Sequence, residues 1–190
     1  MANKVKFNIH DVHYAPITGT DSSGDLTYGT PVKVAGARSI SLEPQNGDRE
    51  VYYADGIEWY VQSGNGSVEG DLEMALIPDA FRKDIYGETE DADHVLWESV
   101  DDESKRFALG FVIDGNEKST YFWYQNCTAT KPNVGAETNE ENKTIGSDTI
   151  TVTCTAGNGG RIRAKSTEST TASVISGWFS AVVSTPSEPS

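Results

Sequence analysis

Histidines are the first residues in this chain that could do chemistry. His10 and His13 flank Asp11, and these residue types are common metal ligands. Along a β-strand, residues 10 and 13 point to opposite faces, so the two imidazoles converge only if the strand is bulged. His94 is far away in sequence and adds little. We therefore expect surface histidines here and no metal site.

The two cysteines, Cys127 and Cys154, could form a disulfide, bind a metal or remain free thiols. No Cys-x-x-Cys or Cys–His spacing supports a metal site, and neither cysteine has a nearby base in sequence to make it a nucleophile. Cys154 shares one face of an alternating segment with Ile150 and Val152. This pattern favours a buried free thiol.

Carboxylates are abundant: 29 acidic against 15 basic residues give a net charge of −14. Such a chain is a poor ligand for nucleic acid or an anionic membrane. The acidic segment, Glu88–Glu103, contains no Lys or Arg, but it lacks the Asp-x-Asp-x-Asp-Gly pattern of a calcium loop, so we expect a solvated loop. No carboxylate pair stands out for glycoside hydrolysis, and nucleophile-elbow, phosphate-loop and dinucleotide motifs are absent from the sequence. We expect no enzyme and no cofactor.

Alternating apolar and polar residues dominate the chain and predict β-strands. The clearest predicted strand is Val68–Ile77, in which the apolar residues Val68, Leu72, Met74 and Leu76 share one face with Gly70, opposite the carboxylates. The run Phe107–Ile113 is continuously apolar and predicts a fully buried strand, whereas Thr149–Thr155 alternates perfectly. The phase slips after Ile9, which predicts a bulge.

Turn and helix signals complete the reading. Asp55-Gly56 predicts a hairpin, Gly157–Gly160 a second one, and Pro78-Asp79 a short helix that ends at Gly87. A second helix is predicted by the i, i+3, i+4, i+7 spacing of Ile175, Trp178, Phe179 and Val182. The sum is an antiparallel β-sandwich or barrel with one or two short helices. We expect one domain over residues 1–183, followed by a flexible Pro/Ser tail over 184–190.

Two charged strand faces are the most informative feature. The acidic stripe consists of Glu69, Asp71 and Glu73, and the basic stripe of Arg161, Arg163 and Lys165. One interpretation is that the two stripes are solvated faces of a monomer. Alternatively, they pair across strands within a sheet or between subunits, where each opposite pair contributes ~0.2–1 kcal/mol.

The ordered set of motifs resembles the major tail tube proteins of long-tailed phages, specifically the phi13-type family. It comprises His13-Tyr14-Ala15, Tyr28–Val32, Tyr52–Asp55, Gly70–Pro78, Phe81-Arg82, Phe107–Phe111, Tyr124–Ala129 and Trp178-Phe179. The resemblance implies a β-sandwich with a flanking helix, six copies per ring, and stacked rings whose lumen passes DNA without binding it. It also implies assembly in the host cytoplasm into a virion tail, with tape-measure, tail terminator and distal tail proteins as partners and no membrane.

The resemblance also suggests where contacts lie. A long loop that contacts the neighbouring ring best matches residues 43–57, with Glu43, Tyr52, Tyr53 and Asp55 as candidates. Arg161, Arg163 and Lys165 are candidates for a subunit contact, and Glu69, Asp71 and Glu73 for the lumen, where an acidic wall would lower adhesion of DNA. The alternative is a β-sandwich binding module, an adhesin or a carbohydrate-binding domain, with Trp59, Trp97 or Trp123 as its platform.

Overall fold

The computed structural model describes residues 5–45, 50–54, 57–62, 66–135 and 146–187. In this part of the chain, the strands are β1 Lys6–Thr20, β2 Leu26–Tyr28, β3 Val32–Val34, β4 Ala37–Gln45, β5 Glu50–Ala54, β6 Ile57–Gln62, β7 Ser67–Met74, β8 Thr89–Glu90, β9 Leu96–Trp97, β10 Phe107–Gly115, β11 Thr120–Ala129, β12 Asp148–Thr155 and β13 Arg163–Lys165. The predicted mainly β, antiparallel fold is confirmed.

Nine of these strands form one sheet in the order β2-β1-β10-β11-β12-β7-β4, with β3 beside β1 and β13 beside β11. The β5–β6 and β8–β9 hairpins are separate two-stranded sheets. The predicted first hairpin is confirmed, because Ala54 pairs with Ile57, although its turn residues 55 and 56 lie outside the described part.

The main core is one buried cluster to which strands from both sides of the large sheet contribute. Side chains of β7 and β12, including Leu72 and Val152, share one buried cluster with those of β1, β10 and β11, including Tyr14 and Phe111. The alternation read in the sequence explains this, because the same residues of β12 that alternate with threonines are buried. Cys154 lies in this cluster as predicted.

A second cluster covers the opposite face of β10 and β11. Trp123 is fully buried there against Trp178, and its Nε1 donates a hydrogen bond to the Trp178 carbonyl at 2.9 Å. Gln125 Nε2 reaches the carbonyl of Ser184 at 2.9 Å. Ala108 of β10 belongs to the same cluster. The C-terminal segment, residues 175–184, therefore makes β10 a strand buried on both faces, which explains its continuous apolar run.

The helix predicted after Pro78 is present. It begins as an α-helical turn, α1 Asp79–Phe81, continues as a π-helical turn over Arg82–Tyr86, and ends at Gly87, whose φ is 79°. Phe81 packs edge-on against Tyr14 and Phe107 at ring distances of 5.0 and 5.4 Å, which anchors the helix to β1 and β10. Pro78 occupies the N-cap position, and no side-chain hydrogen bond caps the helix.

Strand β1 carries the predicted irregularity. Its register with β10 shifts between Lys6 and Ile9 and again between His10 and His13. Asn8 and Asp11 have positive φ values of 46° and 49°, and short polar residues of these types tolerate that conformation best. The second shift coincides with the phase slip in the sequence.

Three local expectations are wrong. Strand β7 ends at Met74, so Leu76 is 69% exposed rather than buried, because the chain leaves the sheet where Ala75 bonds to Gly36. The turn at 157–160 is no hairpin, since β13 pairs with β11 and not with β12. Helix α2 spans only Ala172–Ser176, and Trp178 packs from the turn that follows.

We expect Gly70→Ala to lower the free energy of unfolding by at least about 2 kcal/mol, as overpacking does. An added Cβ at Gly70 would lie 1.7 Å from the Ser41 carbonyl oxygen, so β4 and β7 must separate. Gly146→Ala is the matched control, because nothing lies within 4 Å of its Cβ position. Urea unfolding followed by circular dichroism measures both, and equal stabilities for the two variants would contradict the close approach.

Candidate assembly surfaces

One face of the sheet formed by β4, β7 and β12 is polar throughout. The acidic stripe runs along β7, with Ser39, Ser41 and Glu43 opposite it on β4 and Thr149, Thr151 and Thr153 opposite it on β12. The other face of the same strands is the main core. Because side chains alternate along a strand, the polar face contains only hydroxyls and carboxylates at these register positions.

Hydrogen bonds hold the acidic stripe in place. Thr151 Oγ1 donates to Asp71 Oδ1 at 2.8 Å, and Ser39 Oγ donates to Glu73 Oε2 at 3.0 Å. Arg38 lies 3.0 Å from Glu73, and hydrogen bonds from Ser147 and Ser39 lower the pKa of the Glu73 carboxyl. The neighbours Arg38 and Ser147 were missed in the sequence, because their proximity arises from strand register alone.

The basic stripe lies elsewhere in the sheet. Arg163 and Lys165 are on β13, opposite Tyr124 and Phe122 of β11, whereas Arg161 precedes the strand and bonds to the Asn158 carbonyl at 3.3 Å. All three side chains are exposed. The hypothesis that the two stripes pair within one sheet is wrong, because β13 contacts β11 while β7 lies between β12 and β4.

The stacking candidates are divided between two elements. Glu43 belongs to β4 and not to a loop, because β4 extends to Gln45. Tyr52 and Tyr53 lie on β5, in the hairpin that connects β4 to β7, and Asp55 lies outside the described residues. Gln45 and Ser67, which border this connection, are directly opposite each other in the β4–β7 ladder.

The acidic segment is more ordered than a solvated loop. Asp91 Oδ1 accepts the backbone N–H groups of Asp93 and Val95, both at 2.9 Å, and its Oδ2 accepts Trp97 Nε1 at 2.7 Å. These hydrogen bonds lower the pKa of the Asp91 carboxyl, and the one from Trp97 has the largest effect. Glu88 is buried and pairs with Arg82 at 3.3 Å, so it is an exception to the predicted exposure.

The histidines do not converge. Both ring nitrogens of His10 lie 3.0 Å from a carboxylate, one of Asp11 and one of Asp114. His13 Nδ1 donates to the Asp11 carbonyl at 2.8 Å, and its ring stacks on Phe179 at 4.1 Å, so it is partly buried rather than a free surface residue. In the described part of the chain no cluster of three or more His, Cys, Asp or Glu suits a metal ion.

The remaining candidates are also placed. Cys127 and Cys154 pair across β11 and β12, are buried and unbridged, and have their Sγ atoms 2.8 Å apart. Trp123 is buried and provides no binding platform, whereas Trp97 is 58% exposed. The side chain of Trp59 lies outside the described ones. Within the described residues, no helix has the length and apolar character needed to cross a membrane.

Within the described residues, the nine-residue strand β4 pairs only with β7, and an exposed edge of this kind is a template for pairing with another chain. A family model described as phage tail tube protein matches residues 4–156, which is 153 of the 190 residues. The chain belongs to this family, which confirms the resemblance seen in the sequence. It is therefore a virion structural protein that assembles into a tube. No curated protein matches it significantly.

The matched region stops before two elements that complete the fold. Strand β13 pairs with β11, and Trp178 covers Trp123, yet both lie beyond residue 156. The basic stripe thus lies in the segment that follows the matched region. Its packing shows that this segment is part of the same folded unit.

We expect His10 to make stability depend on pH. Burial lowers its pKa, but hydrogen bonds and charges of Asp114 and Asp11 outweigh this and leave the pKa raised above its usual 6.5. A raised pKa in the folded state means that the stabilisation is present below pH ~6.5 and is lost as pH rises through the folded value. Because the ring is over one-third exposed, we expect less than about 1 kcal/mol.

Unfolding of wild type and His10→Gln at pH 5.5 and 8 measures this contribution. The stability difference between the two proteins should be larger at pH 5.5. The control is Asp114→Asn, which removes one carboxylate and should shrink the pH dependence without abolishing it. A difference that grows towards pH 8 would contradict the assignment.

Proposed function

We propose that this chain forms hexameric rings that stack into the tail tube and conduct DNA during ejection. The single observation that carries the proposal is the free outer edge of β4, which follows β7 as the last strand of the sheet. β4 is nine residues long and is not paired on that side within the described part of the chain. Such an edge invites pairing with another chain.

If the β4 edge of each copy pairs with a different sheet edge of the next copy, six copies can close into a ring in which the unpaired backbone groups of β4 are satisfied. Pro44 in β4 agrees with this position, because proline in a sheet is confined to edge strands, strand starts and bulges. In such a ring, the apolar face of β4, β7 and β12 would lie in the core of each subunit. The polar face of the same strands would form one continuous surface around the ring. No cofactor and no catalytic step are part of this role.

The polar face suits a DNA conduit. Carboxylates repel phosphate, and the hydroxyls of Ser41 and Thr151 make only neutral contacts. Because the Debye length is about 8 Å at physiological salt, only charges close to the DNA act on it. Glu69, Asp71 and Glu73 are therefore our lumen residues, and Glu43 adds a fourth carboxylate opposite Glu69.

Stacking is assigned to the β5–β6 hairpin, which leaves the large sheet at Gln45 and returns at Ser67. It forms a separate two-stranded sheet and carries Tyr52 and Tyr53. We assign the folded domain to residues 1–183 and propose that the tail 184–190, which begins at Ser184 beside Gln125, contacts the next ring or the tape-measure, terminator and distal tail proteins.

Electron microscopy of the purified, concentrated protein tests the proposal. We expect rings or tubes of uniform bore and six-fold symmetry. Only monomers, even with tape-measure protein and assembly factors supplied, would contradict it. Tubes of another symmetry would contradict the hexameric ring but not the tube.

A graded charge series tests the lumen. Glu69→Gln/Asp71→Asn removes two charges with little change of shape, and Glu69→Lys/Asp71→Lys reverses them. Because attraction to phosphate grows along the series, the time for DNA ejection from purified phage should lengthen from wild type to amide to lysine variant. Equal tube yields are the control, and equal ejection times would place the acidic stripe outside the lumen.

Replacing residues 46–66 by a two-residue Asn-Gly turn tests stacking. Gln45 and Ser67 are directly opposite, so a two-residue turn can join them without disturbing the ladder. We expect the thermal stability of the variant subunit to be unchanged. The variant should form rings but few stacked tubes. Tubes at wild-type yield would show that the hairpin is not the stacking element.

A further inference from the structure

The acidic segment exposes apolar side chains that the folded monomer leaves uncovered. Trp97 is 58% exposed, Val95 47% and Val100 100%. Exposed apolar groups rimmed by polar residues are typical of protein interaction sites, and Trp is enriched at interface centres. The surrounding carboxylates set the charge of any partner.

Three carboxylates in the segment have no partner among the described residues. The side chains of Asp93, Asp101 and Glu103 make no ion pair or hydrogen bond with any described residue. The other carboxylates of the segment are engaged: Glu88 with Arg82, Glu90 with Lys83 and His94, Glu98 with Lys131, and Asp91 and Asp102 with groups of the segment itself.

The segment is also preorganised. Asp91 ties Val95 and Trp97 into the β8–β9 hairpin, and Ser99 N donates to Asp102 at 2.7 Å. A segment that is already ordered loses little conformational entropy on docking.

The basic stripe is the complementary surface on the same chain. Arg163 approaches the Tyr124 hydroxyl at 3.4 Å, and Lys165 Nζ lies 6.0 Å from the Phe122 ring centre. None of Arg161, Arg163 and Lys165 pairs with a carboxylate of the described residues. The acidic stripe is a weaker candidate partner, because Arg38 and neighbouring hydroxyls already engage Asp71 and Glu73.

The two complementary surfaces make no ion pair with each other among the described residues of one subunit. The basic stripe is opposite Tyr124, whereas Lys131, which binds Glu98 of the acidic segment, lies beyond the far end of β11. Because the described residues show no ion pair between the two surfaces, their unpaired charges remain available to a second copy of the chain.

We infer that the acidic segment of one subunit docks on the basic stripe of the next, with Trp97 and Val100 at the contact and the unpaired carboxylates facing Arg163 and Lys165. This inference rests on the proposed self-assembly and names its head-to-tail contact. Two different patches on one subunit make a heterologous interface, which builds rings or filaments rather than closed two-fold dimers.

Two charge reversals and their mixture test the contact. Arg163→Glu/Lys165→Glu makes the basic stripe acidic, and Asp93→Lys/Asp101→Lys makes two of the three unpaired carboxylate positions basic. Each variant alone should associate at least about ten-fold more weakly in sedimentation velocity, because like charges oppose docking. An equimolar mixture, and one chain carrying all four reversals at native net charge, should recover association.

Matched valines test the apolar part. Val100→Ser should weaken association, whereas Val134→Ser, at a valine that is 96% exposed outside the segment, should not. Neither side chain is covered in the monomer, so equal thermal stabilities confirm that folding is intact.

The outcomes separate the two proposals. Both reversal variants associating like wild type, a mixture without recovery, or a wild type that stays monomeric at every concentration overturns the head-to-tail contact. If both variants form normal tubes, the contact is wrong and the proposed function stands. If association follows the charges but electron microscopy shows no tube or ring, the contact stands and the proposed function fails.

Discussion

The rest of the structure depends on the burial of β10 and β11 on both faces. On one face, Phe111 and Phe122 enter the main core, and on the other Trp123 is enclosed by Trp178 and Phe179. Antiparallel sheets usually keep one face in water, so the C-terminal segment must cover an area that would otherwise be exposed. Trp123 and Gln125 of β11 hold this segment by hydrogen bonds. Strand β13, which carries Arg163 and Lys165, precedes the segment and pairs with the same strand.

This central pair divides the sheet into two regions with different tasks. Towards β4, the strands have a buried face and a polar face, and the last edge is open. Towards β1, the bulges and the helix close the core around Tyr14 and Phe81. A polar face next to an open edge suits assembly, because pairing of edges extends the face without burying any charge.

Much of the fold was predictable from single segments. Alternation in Thr149–Thr155 identified the core face of β12, and Gly87 marked the end of the helix because it adopts a positive φ. Predictions failed where a distant segment intervenes. Leu76 is exposed because the chain leaves the sheet after Met74, and the turn at 157–160 is no hairpin because β11, and not β12, offers β13 its edge.

The sequence by itself determined the period of each strand, the positions of the turns and the composition of the two charged stripes, because these depend on neighbouring residues. It also carried the family resemblance, which the matched region confirms. Only the tertiary structure decided which strands are neighbours. Register places Ser39 and Thr151 beside the acidic stripe and puts the acidic segment and the basic stripe at different positions along β11. Strand order is set by packing between residues far apart in the chain, and no local pattern contains it.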